Sequence, residues 1–134
     1  MDAAARKIIH QQLEGISSNK TVLALHLLEG KMTPETVSII EKRWESWDAW
    51  VKTEAVQSLR TDPIPETVQF LQQLPNDEPN EVRVEILRSR VLSFTEEQLR
   101  EKISHQSPMV AAEAMVLLCE SAGVDQIRDV IGTW

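Results

Sequence analysis

A chain of 134 residues with 42% hydrophobic and 26% charged content suits one well-covered core, leaves too little for two, and is too apolar for a disordered chain. Its 14 Lys and Arg against 21 Asp and Glu give a net charge of −7, which disfavours nucleic-acid phosphate backbones and fits a basic protein partner. The longest apolar run, about Val22 to Leu28, is interrupted by His26 and falls far short of the ~20 residues that span a bilayer, so no membrane partner is expected.

The first segment, "AAARKIIHQQLEGI" followed by "NKTVLALHLLEG", reads as a divergent helix pair, with Gly15 and Gly30 where helices should end. It has no apolar stretch leading to a small-residue cleavage site, and a cytoplasmic location is the expectation. Next, "TP" at 33–34 places a capping hydroxyl before a proline whose missing N–H costs nothing in a first turn.

The stretch "KRWESWDAWVKTE", residues 42–54, then sets Trp44, Trp47 and Trp50 three apart. Val37, Ile40, Trp44, Trp47 and Val51 form an apolar stripe compatible with one continuous helix over 34–60. On such a helix residues advance by about 100° each, so the three indoles fan over about 120°. A break at Ser46 or Asp48, either of which can cap a new helix, instead lets Trp44 and Trp47 close the first helix's core. Both readings turn Trp50 outward, where a Trp on a monomer points to a partner; the alternative is that all three indoles pack between adjacent units.

Self-similarity organises the remainder. "PETVSII" at 34–40 recurs as "PETVQFL" at 65–71, a shift of 31, and "TEEQLREKI" at 95–103 places Leu99 a further 31 beyond Val68. Each is followed by a second segment: "VKTEAVQSL" from Val51, "VRVEILRSR" from Val82 and "VAAEAMVLL" from Val110. Two short helices per unit of about 28–31 residues is the helix-pair pattern of an α-solenoid. Thr95 and Gln98 are spaced as a capping box, Phe94 and Leu99 as its hydrophobic staple, and "SP" at 107–108 marks another helix start. The single cysteine, Cys119, sits in "MVLLCE", where a small buried thiol is expected.

"DEPNEVRVEIL" and "SHQSPMVAAEAMVLL" resemble second-helix signatures of HEAT-like repeats, in which an Asp/Ser-Pro turn leads into a Val-rich helix. The resemblance covers about residues 33–121. It implies an all-α fold, a short right-handed α-solenoid of about four helix pairs. The units would be about 2–30, 33–60, 64–93 and 95–121, with a closing helix at 124–131. A compact up-and-down helical bundle satisfies the same periodicity.

Glu54, Glu85 and Glu113 fall at one phase of the second helices, so stacking aligns them into an acidic ridge, either open to cations or neutralised by neighbours such as Arg88. Arg83 and Arg90 lie near Ile86 and Leu87 rather than opposite them; their stems snorkel over core, or they line a concave groove. His10, His26 and His105 lack companions at metal-ligand spacing, and no phosphate loop, nucleophile elbow or Cys-His set occurs, so no metal, cofactor or catalytic residue is expected. Some HEAT-like proteins are DNA glycosylases with a basic, aromatic-lined concave face; this chain lacks a clear basic track. The expectation is a non-enzymatic protein-binding module, such as an adaptor, effector chaperone or inhibitor of a basic protein. Trp47 and Trp50 would be its anchors, and the ridge would give charge preference. The alternative is a self-assembling protein, a homodimer held through Trp50 and the closing segment ending at Trp134.

Overall fold

In the computed structural model, which describes residues 1–105, 107–121, 128, 129 and 132, every regular element is helical. Eight α-helices follow in order: α1 (Ala3–Leu13), α2 (Ser18–Leu27), α3 (Pro34–Arg43), α4 (Ala49–Leu59), α5 (Pro65–Gln73), α6 (Asn80–Ser89), α7 (Glu96–His105) and α8 (Pro108–Ser121). The expected closing helix at 124–131 lies outside the described residues except for Arg128 and Asp129, and so does Trp134.

Side-chain caps set most of the helix starts. Asp2 Oδ1 accepts from the Ala5 amide at 2.7 Å, Thr33 Oγ1 from Thr36 at 3.2 Å, and Asp48 Oδ1 from Val51 at 3.0 Å. The capping box at α7 is reciprocal: Gln98 N donates to Thr95 Oγ1 at 3.1 Å while Thr95 N donates to Gln98 Oε1 at 2.9 Å. At the other end of α2, Gly30 takes φ +72°, a left-handed turn that side chains resist. Its amide donates to Thr61 Oγ1 at 2.7 Å.

The continuous helix over 34–60 does not form. After α3 the chain makes a single 3-10 turn, Trp44–Ser46, and Trp47 is extended at ψ 147°. The physical reason is local: Ser46 Oγ donates to the Arg43 carbonyl, and the Asp48 carboxylate caps α4 two residues later.

The helices pack in rows. α2 packs on α4, α4 on α6 and α6 on α8; on the other side α1 packs on α3 and α3 on α5; α1–α2 and α7–α8 close the two ends. Ser58 Oγ donates to the Leu25 carbonyl and Gly30 N to Thr61, so contacts advance together and α2 and α4 run parallel. Pro34, Pro65 and Glu96 begin successive first helices 31 residues apart, and Ala49 and Asn80 begin second helices at the same offset. Helix α8 breaks this rule and follows α6 by 28, because α8 starts at Pro108, close after α7 ends at His105, whereas residues 74–79 separate α5 from α6. Drawn into a tight hairpin with α8, helix α7 does not pack closely on α5.

One apolar core runs from α1 to α6 through Leu13, Leu25, Ile40, Trp44, Val56 and Val82, all at 1% exposure or less. Smaller clusters, Leu99–Ile103–Ala114–Leu118 and Val84–Leu87–Val110, fill the last pair, and Phe94 touches both. Each fully buried aliphatic or aromatic side chain contributes about 1.5–3 kcal/mol. Cys119 differs from expectation: it is exposed, one position past the buried Leu118 and about 100° round the helix, facing away from the core.

The 31-residue offset also exposes a defect. Thr36 and Thr67, 31 apart, are both fully buried. The Thr36 hydroxyl shares hydrogen bonds with His10 Nε2 at 2.8 Å and with the Thr33 hydroxyl at 2.9 Å. Thr67 Oγ1 has no partner among the described residues. Ile64 replaces Thr33 in the second copy, so the hydroxyl that would have met it is missing.

Candidate functional site

The three tryptophans have separate environments. Trp44 is buried at 1% exposure and meets Phe70 edge-on, ring centroids 5.1 Å apart. Its indole Nε1 donates to Glu78 Oε2 at 3.0 Å. Lys52 Nζ donates to the other oxygen, Glu78 Oε1, at 2.8 Å and lies 5.4 Å from the centre of the Trp44 ring. All three groups are buried, so the loop between α5 and α6 is tied back onto α3 and α4 by a carboxylate with both oxygens engaged. Nothing in sequence spacing announced this. The only sign was a lysine, Lys52, at a position the helix turns inward, between the core residues Val51 and Ala55.

Trp47 is half-buried against the same core, its centroid 6.4 Å from that of Trp44, and its Nε1 has no partner among the described residues. Trp50, in the first turn of α4, is 46% exposed. Other large apolar side chains are exposed on the same row of helices: Leu23 and Leu27 on α2, Met109 and Val116 on α8.

The acidic ridge is interrupted. Glu85 is buried at 7% exposure, because α4 and α8 pack on both sides of α6 and cover that face. Glu113 accepts a hydrogen bond from Arg88 Nε at 2.6 Å. Glu54 Oε2 lies 3.3 Å from His26 Nε2, in an orientation that makes no hydrogen bond, while His26 Nδ1 meets Glu29 Oε1 at 3.0 Å. Neither Glu54 nor Glu85 pairs with a lysine or arginine among the described residues.

The two arginines also part company. Arg90 ends α6 at φ 56° and ψ 21°, and that left-handed turn sends its exposed guanidinium to the Glu120 carboxylate of α8. The pairing raises the Arg90 pKa and lowers that of Glu120.

Arg83 borders a depression formed by α5, α6 and α7. Where α7 stands off α5, two contiguous depressions of about 130 and 340 Å³ share Gln72, Asn76, Leu92, Phe94 and Lys102, and Arg83 lines the smaller. The Lys102 ammonium sits 5.4 Å from the centre of the Phe94 ring. Burial, followed by the neighbouring Arg83 charge, pushes its pKa below the usual lysine value, with Glu101 opposing. Neither Arg83 nor Lys102 makes an ion pair or side-chain hydrogen bond among the described residues.

His10 is buried, and the loss of hydration lowers its pKa from 6.5, helped by Arg6 and opposed by Glu35 and Glu14. Among the described residues no grouping of three or more His, Cys, Asp or Glu side chains could hold a metal, and no helix is long and apolar enough to cross a membrane. Comparison with protein-family models, with curated proteins and with solved structures finds no match.

Proposed function

We propose that this chain is a non-enzymatic protein-binding module, a short α-solenoid of HEAT-like helix pairs that recognises a basic protein partner. The observation that carries the reading is Trp50, a 46% exposed indole at the start of α4, on a row of helices that also exposes Leu23, Leu27, Met109 and Val116. Tryptophan is among the side chains most enriched in binding hot spots, and an exposed indole supports a contact site. The solenoid reading is supported by the 31-residue offsets and by the packing of like helices in parallel rows.

Charge preference comes from the net −7 and from the partly exposed Glu54, with Glu85 adding negative potential from beneath and Glu113 shared with Arg88. Trp47, half-buried at the junction of α3 and α4, is the second proposed anchor. Adaptor, effector chaperone and inhibitor are all roles that stoichiometric recognition of this kind serves.

The test is recovery of bound proteins from a source lysate by the wild type, by Trp50→Ala, and by a variant with Glu54 and Glu113 reversed to Lys. Loss of one basic partner in both variants supports the reading. Unchanged recovery of every partner removes both surfaces. The exposed Trp50 equally suits a second copy of this chain, so light scattering at several salt concentrations accompanies it. A salt-insensitive dimer that Trp50→Ala dissociates replaces the partner reading with self-assembly.

A further inference from the structure

We propose that the cleft between α5 and α7 binds a small organic oxyanion, a carboxylate or phosphate ester on an apolar body, through the Arg83 guanidinium and the Lys102 ammonium. The inference is independent of the partner surface, since no residue of α4 lines this cleft.

Its first support is a charge anomaly. In a chain with seven more acids than bases, two cations converge on one concavity and neither has a carboxylate partner among the described residues. The carboxylate in the cleft wall that could neutralise them, Glu78, has both oxygens occupied by Lys52 and Trp44. Glu101 sits at the exposed outer part. Two like charges held together in a partly dehydrated cleft raise each other's energy, and an anion between them relieves both.

The second support is the lining. Leu71, Leu74, Ile86 and Leu87 provide an apolar surface beneath the cations, and the amides of Gln72 and Asn76 stand at the wall. Gln98 is oriented by its capping bond: its Oε1 is taken by the Thr95 amide, which leaves its NH₂ to donate. Arginine offers a planar fork matched to a carboxylate or phosphate, lysine a point charge, and amide donors complete the shell of an oxyanion. The concavity exists because α8 arrives three residues early and holds α7 away from α5. The smaller depression pairs an apolar lining with a few convergent polar groups, as small-molecule sites do, and it adjoins the larger, more polar one.

The experiment is a titration of the full chain, followed by ¹H–¹⁵N NMR, with benzoate, phenyl phosphate, inorganic phosphate and the neutral benzamide. Saturable shifts of the Gln72, Asn76 and Gln98 side-chain amides with benzoate or phenyl phosphate, but not with benzamide, are expected; the tighter of the two identifies the head group. Arg83→Gln and Lys102→Gln should each weaken binding about tenfold. Arg83→Lys keeps the charge and serves if Arg83→Gln does not fold. Saturation should also raise the Lys102 pKa, read from its Nζ resonance. Absence of saturation in the millimolar range, equal binding of benzamide, or unchanged affinity in the charge-removing variants overturns the proposal. Inorganic phosphate binding as tightly as phenyl phosphate overturns the part that assigns an apolar body.

Discussion

Replacing Glu78 by alanine isolates the contact that joins the α5–α6 loop to the first half of the core. The carboxylate is 6% exposed and holds two donors, Lys52 Nζ at 2.8 Å and Trp44 Nε1 at 3.0 Å. Its removal leaves an ammonium at 8% exposure and a buried indole N–H without partners. Breaking a buried ion pair from one side costs about 3–5 kcal/mol, most of it the uncompensated charge left behind. The orphaned N–H, about 1–3 kcal/mol in isolation, overlaps with this figure, because Lys52 also lies over the Trp44 ring. For a chain of this length the loss corresponds to a fall of roughly 10–18 °C in Tm.

Urea unfolding followed by tryptophan fluorescence measures it. Lys52→Met in the Glu78→Ala background should recover more than half of the loss, because the stranded charge is then gone. A cost below about 1 kcal/mol for Glu78→Ala, the range of exposed pairs, would refute the claim that this network is desolvated. So would a failure of Lys52→Met to recover stability.

Thr67→Val should leave stability unchanged or raise it by about 1 kcal/mol, whereas Thr36→Val should lower it by about 1–3 kcal/mol; only the second hydroxyl has hydrogen bonds to lose, and chemical denaturation compares the two. His10 binds its proton less readily in the fold than in the unfolded chain, so the unfolded state takes up more protons as pH falls below 6.5. Stability from this group is therefore complete above that pH and declines as pH falls; urea midpoints at about pH 7.5 and 5.5 should differ less in His10→Gln than in the wild type. Arg90→Gly should be more stable than Arg90→Ala in thermal melts, because both lose the Glu120 pairing and only glycine relieves the φ of 56°. Trp50→Ala should shift the urea unfolding free energy by no more than about 0.5 kcal/mol, since its exposed indole supports little of the core. A larger loss would mean that this surface is structural.

Much of the local structure was written in short-range chemistry. Hydroxyls before prolines, the Thr95–Gln98 box and Gly30 depend on residues three or four apart, so helix ends at these points could be read directly. The 31-residue offset between helix starts was equally legible, because it is a property of the string. Even the departure at α8 is visible as an offset of 28, although its consequence, a cleft between α5 and α7, is not.

The string left the break inside "KRWESWDAWVKTE" undecided, since Ser46 and Asp48 could have sat on the solvent side of one long helix. The expected acidic ridge shows the limit from another direction. Helical phase places Glu54, Glu85 and Glu113 in line, but their exposure depends on neighbours from other units, and those bury the middle one. Cys119 fails by one position on a helix, where a step of about 100° separates core from solvent.

By itself, then, the sequence determined an all-α chain, most of its caps and the 31-residue offset that spaces most of its helices, because each rests on interactions within a turn or on recurrence along the string. Tertiary structure decided which polar groups are buried and what they meet: Lys52 with Glu78, Arg83 beside Lys102, Thr67 with no partner among the described residues. Those pairings join residues about 20 to 30 apart across separate helices, and desolvation, which makes them matter, is a property of the packed whole.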